Sequence, residues 1–174
     1  GGVDSVEFLK QIAAYREAHG VSEDSPVTWS PGRSVWDLPT ASKIRVCVRK
    51  RPMLGGERKR KEFDAVTCLP NPTGGLCQHL ALHEPKTRFD LSKEVQHHDF
   101  AFDCNFSEAD TNEGIFQAVG CPQLVQHVLA GKNATVFCFG QTGSGKTVTM
   151  VGLTGEPDGG NGAGLYGLAA REVF

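Results

Sequence analysis

The sequence predicts an α/β fold, with a central and mainly parallel sheet flanked by helices, from three observations. Residues 134–139 form a continuous apolar run, interrupted only by Thr135 and rich in β-formers, as a parallel strand covered on both faces requires. A glycine-rich turn and a helix start follow at once, which is the strand, loop, helix order of an α/β unit. Far upstream, residues 43–48 set Ile44, Val46 and Val48 against Arg45 and Cys47, the two-residue period of a strand with one buried face.

Composition narrows the class. A chain of 174 residues is long enough for one ordinary domain, and 39% hydrophobic with 22% charged residues suits a soluble globular one. The longest apolar runs fall well short of the ~18 residues of a membrane span. The N-terminus shows no basic segment leading into an apolar stretch and cleavage site, so no secretory signal is expected and an intracellular location is. A net charge of −2 argues against nucleic acid or a membrane surface as partner. The six cysteines are widely spaced and are expected as reduced thiols. Cys77, His79 and His83 lack the paired geometry of a structural zinc site and are expected as polar residues on a strand and its turn. His97 and His98 adjoin, and on a strand they point to opposite faces.

Along the chain, Val6, Leu9, Ile12 and Ala13 recur at helical spacing within residues 4–19, and Gly20 follows where a helix end wants glycine. Pro26, Pro31, Gly32 and Pro39 mark residues 21–40 as a linker. After the strand over residues 43–48, Pro52 stops the pattern and a basic turn follows, with Arg58, Lys59, Arg60 and Lys61. Residues 63–69 and 78–82 are short strand candidates on either side of a Pro-Asn-Pro and Gly-Gly turn, and Phe100 and Phe102 mark another. Residues 112–130 place Ile115, Phe116, Val119, Val125, Val128 and Leu129 on helical spacing, with Pro122 expected to kink or split the helix and Gly131 to end it. The glycine-rich residues 154–164 are expected to be flexible.

Chemistry is concentrated after the apolar run. Gly140, Gln141, Thr142, Gly143, Ser144, Gly145, Lys146 and Thr147 satisfy G-x-x-x-x-G-K-[ST], the loop that wraps the phosphates of a nucleoside triphosphate. Glycines let the backbone turn its N–H groups inward at phosphate oxygens, and the following helix adds its positive end. Lys146 is the expected partner of the β and γ phosphates, and the Thr147 hydroxyl the expected ligand of Mg²⁺. The loop therefore calls for a nucleoside triphosphate with Mg²⁺; an unrelated phosphate-loop kinase or GTPase is one alternative, although the guanine-reading N-K-x-D element does not occur.

Residues 137–150, FCFGQTGSGKTVTM, resemble the phosphate loop of kinesins, in which GQTGSGKT is close to a family signature. VRKRP at residues 48–52 is similar to the R-x-R-P element of the same family, which implies that Arg49 and Pro52 flank the adenine. IRVCVRKRP, HEPKTRFDLSK, DFAFD and GLYGLAAREVF look most like the kinesin-13 class of internal, microtubule-depolymerising motors. The resemblance divides the chain into a neck helix and linker over residues 1–42 and the front of a motor domain over residues 43–174. Two departures stand out. Arg88, Phe89 and Asp90 occupy the place where the class presents Lys-Val-Asp to tubulin; Phe89 either buries at that interface or packs on its own strand. Val148 stands where many kinesins carry a histidine beside the adenine.

What the resemblance implies is an ATP-hydrolysing, microtubule-stimulated motor that couples turnover to microtubule depolymerisation. Its partners would be tubulin and microtubules, its location the cytoplasmic cytoskeleton with the spindle as one option, and a homodimer would form through regions outside this chain. A motor that walks along the lattice and a non-catalytic microtubule-binding protein are the alternatives. The family's serine-rich first switch and Asp-Leu-Ala-Gly second switch do not occur in these residues, so this stretch alone is expected to be inactive and to fold poorly by itself. The basic residues 58–61 are either a solvated loop or a contact for tubulin's acidic surface.

Overall fold

The computed structural model describes residues 4–22, 31–72, 74–153 and 162–174. The chain divides into two compact units, one of Gly1–Thr28 with Val46–Ala109 and one of Trp29–Arg45 with Asp110–Phe174. The flexibility expected of residues 154–161 lies outside the described residues.

In the first unit, α1 (Asp4–Ala18) ends at Gly20, whose φ of 70° is the left-handed turn-off that glycine tolerates. β1 (Cys47–Arg49) follows, then α2 (Gly55–Lys59), β2 (Val66–Leu69), β3 (His79–Thr87), β4 (Lys93–Ala101) and β5 (Cys104–Phe106). β1 and β5 pair in parallel, Cys47 opposite Cys104 and Arg49 opposite Phe106. β2, β3 and β4 form an antiparallel meander in which β3 meets β4 from His79 opposite Ala101 to Thr87 opposite Lys93. The hairpin is longer than the sequence predicts, running five residues past Leu82, through Pro85 to Thr87. Pro85 is admitted there because β2 pairs only as far as Leu82, so that stretch of β3 has a free edge that needs no donor.

α1 covers the outer edge of β4. Phe8 and Ile12 pack on Val95 with Phe63 beside them. The Gln11 side-chain amide completes the strand's hydrogen bonding: Nε2 donates to Lys93 O at 3.0 Å, and Oε1 accepts from Val95 N at 2.9 Å. A side chain thus takes the place of a neighbouring strand at an otherwise open edge.

His83, expected as a polar residue of a strand, is instead 1% exposed. Arg16 Nε donates to Thr67 Oγ1 at 2.8 Å, which leaves the Thr67 hydroxyl to donate to His83 Nε2 at 2.7 Å. His83 then carries its proton on Nδ1 and donates to His97 Nδ1 at 2.8 Å. Tyr15 stacks on His97 with ring centroids 4.1 Å apart, meets His83 edge-on, and donates to Asp99 Oδ1 at 3.0 Å. Burial, with the neighbouring His97 and Arg16 charges, pushes His83 down to about 4, and burial also lowers His97. Burial and Asp99 raise Tyr15 to about 12. His98, on the other face, pairs with Glu84.

In the second unit, a 3₁₀ turn (Val35–Asp37) is closed by a capping box between Ser34 and Asp37. Of residues 21–40, whose composition reads as linker, the described stretch 31–40 is anchored here: Val35 is fully buried and Trp36 Nε1 donates to Val119 O at 3.0 Å, while Arg45, further on, lies over the Trp36 ring. The predicted helix over residues 112–130 is split into α3 (Asn112–Ala118) and α4 (Cys121–Leu129), with Pro122 in the first turn of α4, where its missing donor costs nothing. Gly120 joins them at φ 72°, and a Cβ there would stand 2.2 Å from Trp36 Cδ1. α5 (Lys146–Met150) and α6 (Leu165–Val173) complete the unit.

Two strand expectations are corrected. Residues 44–46 are not in the ladder, and Ile44 and Val46 are exposed rather than buried. Residues 134–139 form no strand, and Phe137 and Phe139 are 72% and 82% exposed. Apolar content makes a segment suited to a buried strand, but a strand exists only through a neighbour's N–H and C=O groups, and the described residues supply none to this one. The six cysteines are free thiols; the single Cys77 S–H has Leu69 O as its nearer acceptor at 3.1 Å, with His79 O at 3.5 Å.

Two outcomes follow. Gly120→Ala meets both the positive φ and Trp36, and is expected to lower unfolding free energy by about 2 kcal/mol in a thermal or denaturant melt, whereas Gly131→Ala, with open space around its Cβ, loses only the backbone term of about 1 kcal/mol. His83 binds its proton more weakly when folded, so the unfolded state is favoured as pH falls from about 6.5 to about 4, and stability is level above that window. The expected loss is ~3 kcal/mol, and His83→Gln should flatten the profile between those pH values; parallel wild-type and variant profiles would contradict it.

Candidate functional site

The glycine-rich turn after residue 139 is shaped by three left-handed positions, Gly140 at φ 149°, Gly143 at 83° and Gly145 at 94°. A Cβ on Gly140 would come within 2.7 Å of Ser144 Oγ, so the ring of the loop closes only on a bare backbone there. Ser144 N donates to Gln141 O at 3.2 Å across the turn, and Gly145 leads into α5 from its left-handed conformation. Gln141, Thr142 and Gly143 are exposed at the rim, and nothing lies within 4 Å of where a Gly143 side chain would begin. The loop is thus an open cradle of backbone.

Lys146, the first residue of α5, folds back across that cradle. Its Nζ donates to Gly140 O and Gln141 O, both at 2.9 Å. A cation held over an open ring of glycine backbone fits a polyphosphate, whose oxygens are stronger acceptors for an ammonium than neutral carbonyls are. Thr147, one residue on, is exposed on the first turn of α5, where its hydroxyl can serve a hard cation such as Mg²⁺. Thr149 is the residue that faces inward, its backbone N and its Oγ1 both bonded to Gly145 O. Residues 140–148 therefore stand together as the sequence arranges them.

Three contributors escaped sequence reasoning. Asn112, fully buried at the start of α3, sends Nδ2 to Val148 O at 2.9 Å and to Ala163 O at 3.0 Å. Gly152 and Gly164 let two backbone stretches touch: a Cβ on Gly152 would be 2.3 Å from Gly162 O, and one on Gly164 2.4 Å from Val151 C. Gly164 N also donates to Val151 O at 3.1 Å. In the sequence Asn112 only opens the helical span and Gly164 only closes the glycine-rich stretch; nothing in the pattern shows what they approach.

Arg49 and Pro52 lie in the first unit, Arg49 half-buried at the end of β1 and Pro52 exposed. The neighbouring cations are committed elsewhere: Lys50 Nζ bonds Asp64 and Glu108, and Arg51 forks onto Glu57, whose carboxyl it holds down at about 2 with help from Leu54 N. Arg58, Lys59, Arg60 and Lys61 are exposed, Arg60 pairing with Glu62.

Arg88, Phe89 and Asp90 form the tip of the β3–β4 hairpin. Arg88 Nε donates to Glu94 Oε2 at 2.7 Å, and Asp90 Oδ1 accepts from Ser92 N and Ser92 Oγ, which hold its carboxyl below the usual range. Leu91 turns the chain at φ 65°. Phe89 is wholly exposed, so of its two expected placements it does not pack on its own strand.

Known proteins share this organisation. The model of the kinesin motor domain family matches residues 49–174. Kinesin-like protein KIF24 of Homo sapiens is 43% identical over 132 residues, which cover 76% of this chain and 9% of that protein. Kinesin-like protein KIF24 of Mus musculus is 42% identical over the same extent. The chain thus spans 9% of the length of these curated relatives. A solved fast kinesin, described for its ATPase mechanism and interactions with microtubules, superposes with a TM-score of 0.58 at 28% identity, covering 75% of this chain and 32% of that one. On the family match over residues 49–174, with an α/β fold and a complete phosphate loop inside it, this chain belongs to the kinesin motor-domain family.

Proposed function

We propose that this chain is the nucleotide-binding front of an ATP-driven microtubule motor of the kinesin-13 type, whose turnover removes tubulin from microtubule ends. The observation that carries the reading is Lys146 poised over the glycine cradle, in a chain of the kinesin motor-domain family. Bound Mg·ATP would supply the phosphoryl group to be transferred to water. The chain's own part would be electrostatic: loop amides and Lys146 would hold the phosphates, the Thr147 hydroxyl would hold the metal, and together they would stabilise charge as it spreads in the transition state. Val148 and, from the family resemblance, Arg49 and Pro52 would bound the adenine.

The depolymerising assignment rests on the class-like segments and on the β3–β4 tip. Phe89 offers a wholly exposed, rigid apolar surface, and Arg88 and Asp90 flank it with both signs of charge. Tubulin would bury that ring at the motor interface, as a cytoskeletal location on microtubules requires. The exposed cations of residues 58–61 would speed encounter with an acidic surface, in a salt-dependent way.

The direct test is tubulin release from stabilised microtubules by the full-length protein with Mg·ATP. Lys146→Ala is expected to cut microtubule-stimulated ATPase by about 100-fold or more and to abolish release. Thr147→Ala should weaken binding of a fluorescent ATP analogue in Mg²⁺ far more than in EDTA. Phe89→Ala should leave analogue binding unchanged and slow release by about tenfold or more. Stimulated ATPase with directed gliding and no end shortening would identify a translocating kinesin instead, and microtubule binding indifferent to nucleotide would identify a structural binder.

A further inference from the structure

α5 is a single turn, and its end is irregular. Val151 N and Gly152 N both donate to Thr147 O, at 2.8 and 3.2 Å. The next carbonyl, that of Val148, therefore receives its hydrogen bond from a side chain, Asn112 Nδ2. The second proton of the same amide goes to Ala163 O. Those two carbonyls belong to the two backbone arms that touch at Gly152 and Gly164, on either side of residues 154–161. Asn112 is fully buried, so neither bond is shared with solvent.

We infer that Asn112 is a positioning residue for the phosphate loop: one carboxamide ties the helix that carries Lys146 and Thr147 to the start of α6, and fixes both to α3. The chemistry singles out asparagine. Its NH₂ group is the only short side chain with two protons on one atom, and two carbonyls about 3 Å away accept one each. Aspartate has the same shape and suits the first turn of α3 by charge, yet it would set an acceptor against two acceptors. Alanine would leave both carbonyls buried and unmet. The Thr111 cap, which accepts from Gly114 N at 3.2 Å, keeps the α3 terminus closed whatever stands at position 112. Loosening this tie frees α5 to rotate on Gly145, and Lys146 and Thr147 lose their fixed offset from the loop amides.

This inference rests on the ATP-binding reading for its consequence and on the bonds of Asn112 for its geometry, so the experiment reads the two separately. Full-length wild type, Asn112→Asp, Asn112→Ala and Lys146→Ala are compared by amide hydrogen exchange without nucleotide, by affinity for a fluorescent ATP analogue with Mg²⁺, and by melting. Expected for both Asn112 variants is faster exchange at Val151, Gly152 and Gly164, and analogue affinity weakened about tenfold in the folded protein. Lys146→Ala should lose affinity with exchange at those amides unchanged. Unaltered exchange and affinity in Asn112→Asp would overturn the inference, as would a lowered melting temperature with affinity of the folded fraction intact, which is a structural role only. A wild-type protein that binds no analogue would overturn the ATP reading and the role in binding with it, while exchange would still decide whether Asn112 holds the helix.

Discussion

Completion of backbone hydrogen bonds governs where this chain is ordered into elements and where it is not. β1 is a strand because β5 runs beside it, and the meander is stable at its outer edge because Gln11 supplies the amide that a further strand would have given. Residues 134–139 have the apolar content of a buried strand and lack that complement among the described residues, so their rings stand in solvent. The same accounting reaches the phosphate loop. There the helix is too short to satisfy its own carbonyls, and Asn112 meets one of them from another element.

The phosphate loop itself is held by steric permission more than by attraction. Gly140 admits Ser144, and Gly152 and Gly164 admit one another's backbone; in each case a methyl group would force the chain apart. Such positions carry little favourable energy of their own. They matter because they let polar groups come close enough to bond, as Gly164 N does with Val151 O.

Much of this was legible in the sequence, for identifiable reasons. Local rules with a strong physical basis held: Gly20 ended α1, Pro122 divided the helix after Val119, and the chain turned in left-handed conformations at Gly140, Gly143 and Gly145. Readings that required knowledge of a distant partner did not. Residues 31–40 look like linker by composition, but Val35 and Trp36 find a site at the α3–α4 junction. His83 looks like a polar strand residue, but Thr67, His97 and Tyr15, none of them near it in sequence, bury it. Asn112 belongs with these. Periodicity reports which face of an element is apolar, and it is silent on which polar atom will be needed where two elements meet.

The two carbonyl partners of Lys146 have a bearing on discrimination. Because its ammonium already has two carbonyl partners, a neutral ligand that offers hydroxyl or carbonyl oxygens would trade one set of dipoles for another and gain nothing from the cation. Only a ligand with net negative charge improves on what the loop gives itself. An anionic ligand would therefore draw from Lys146 an attraction that a neutral one would not, a preference set by charge as well as by shape.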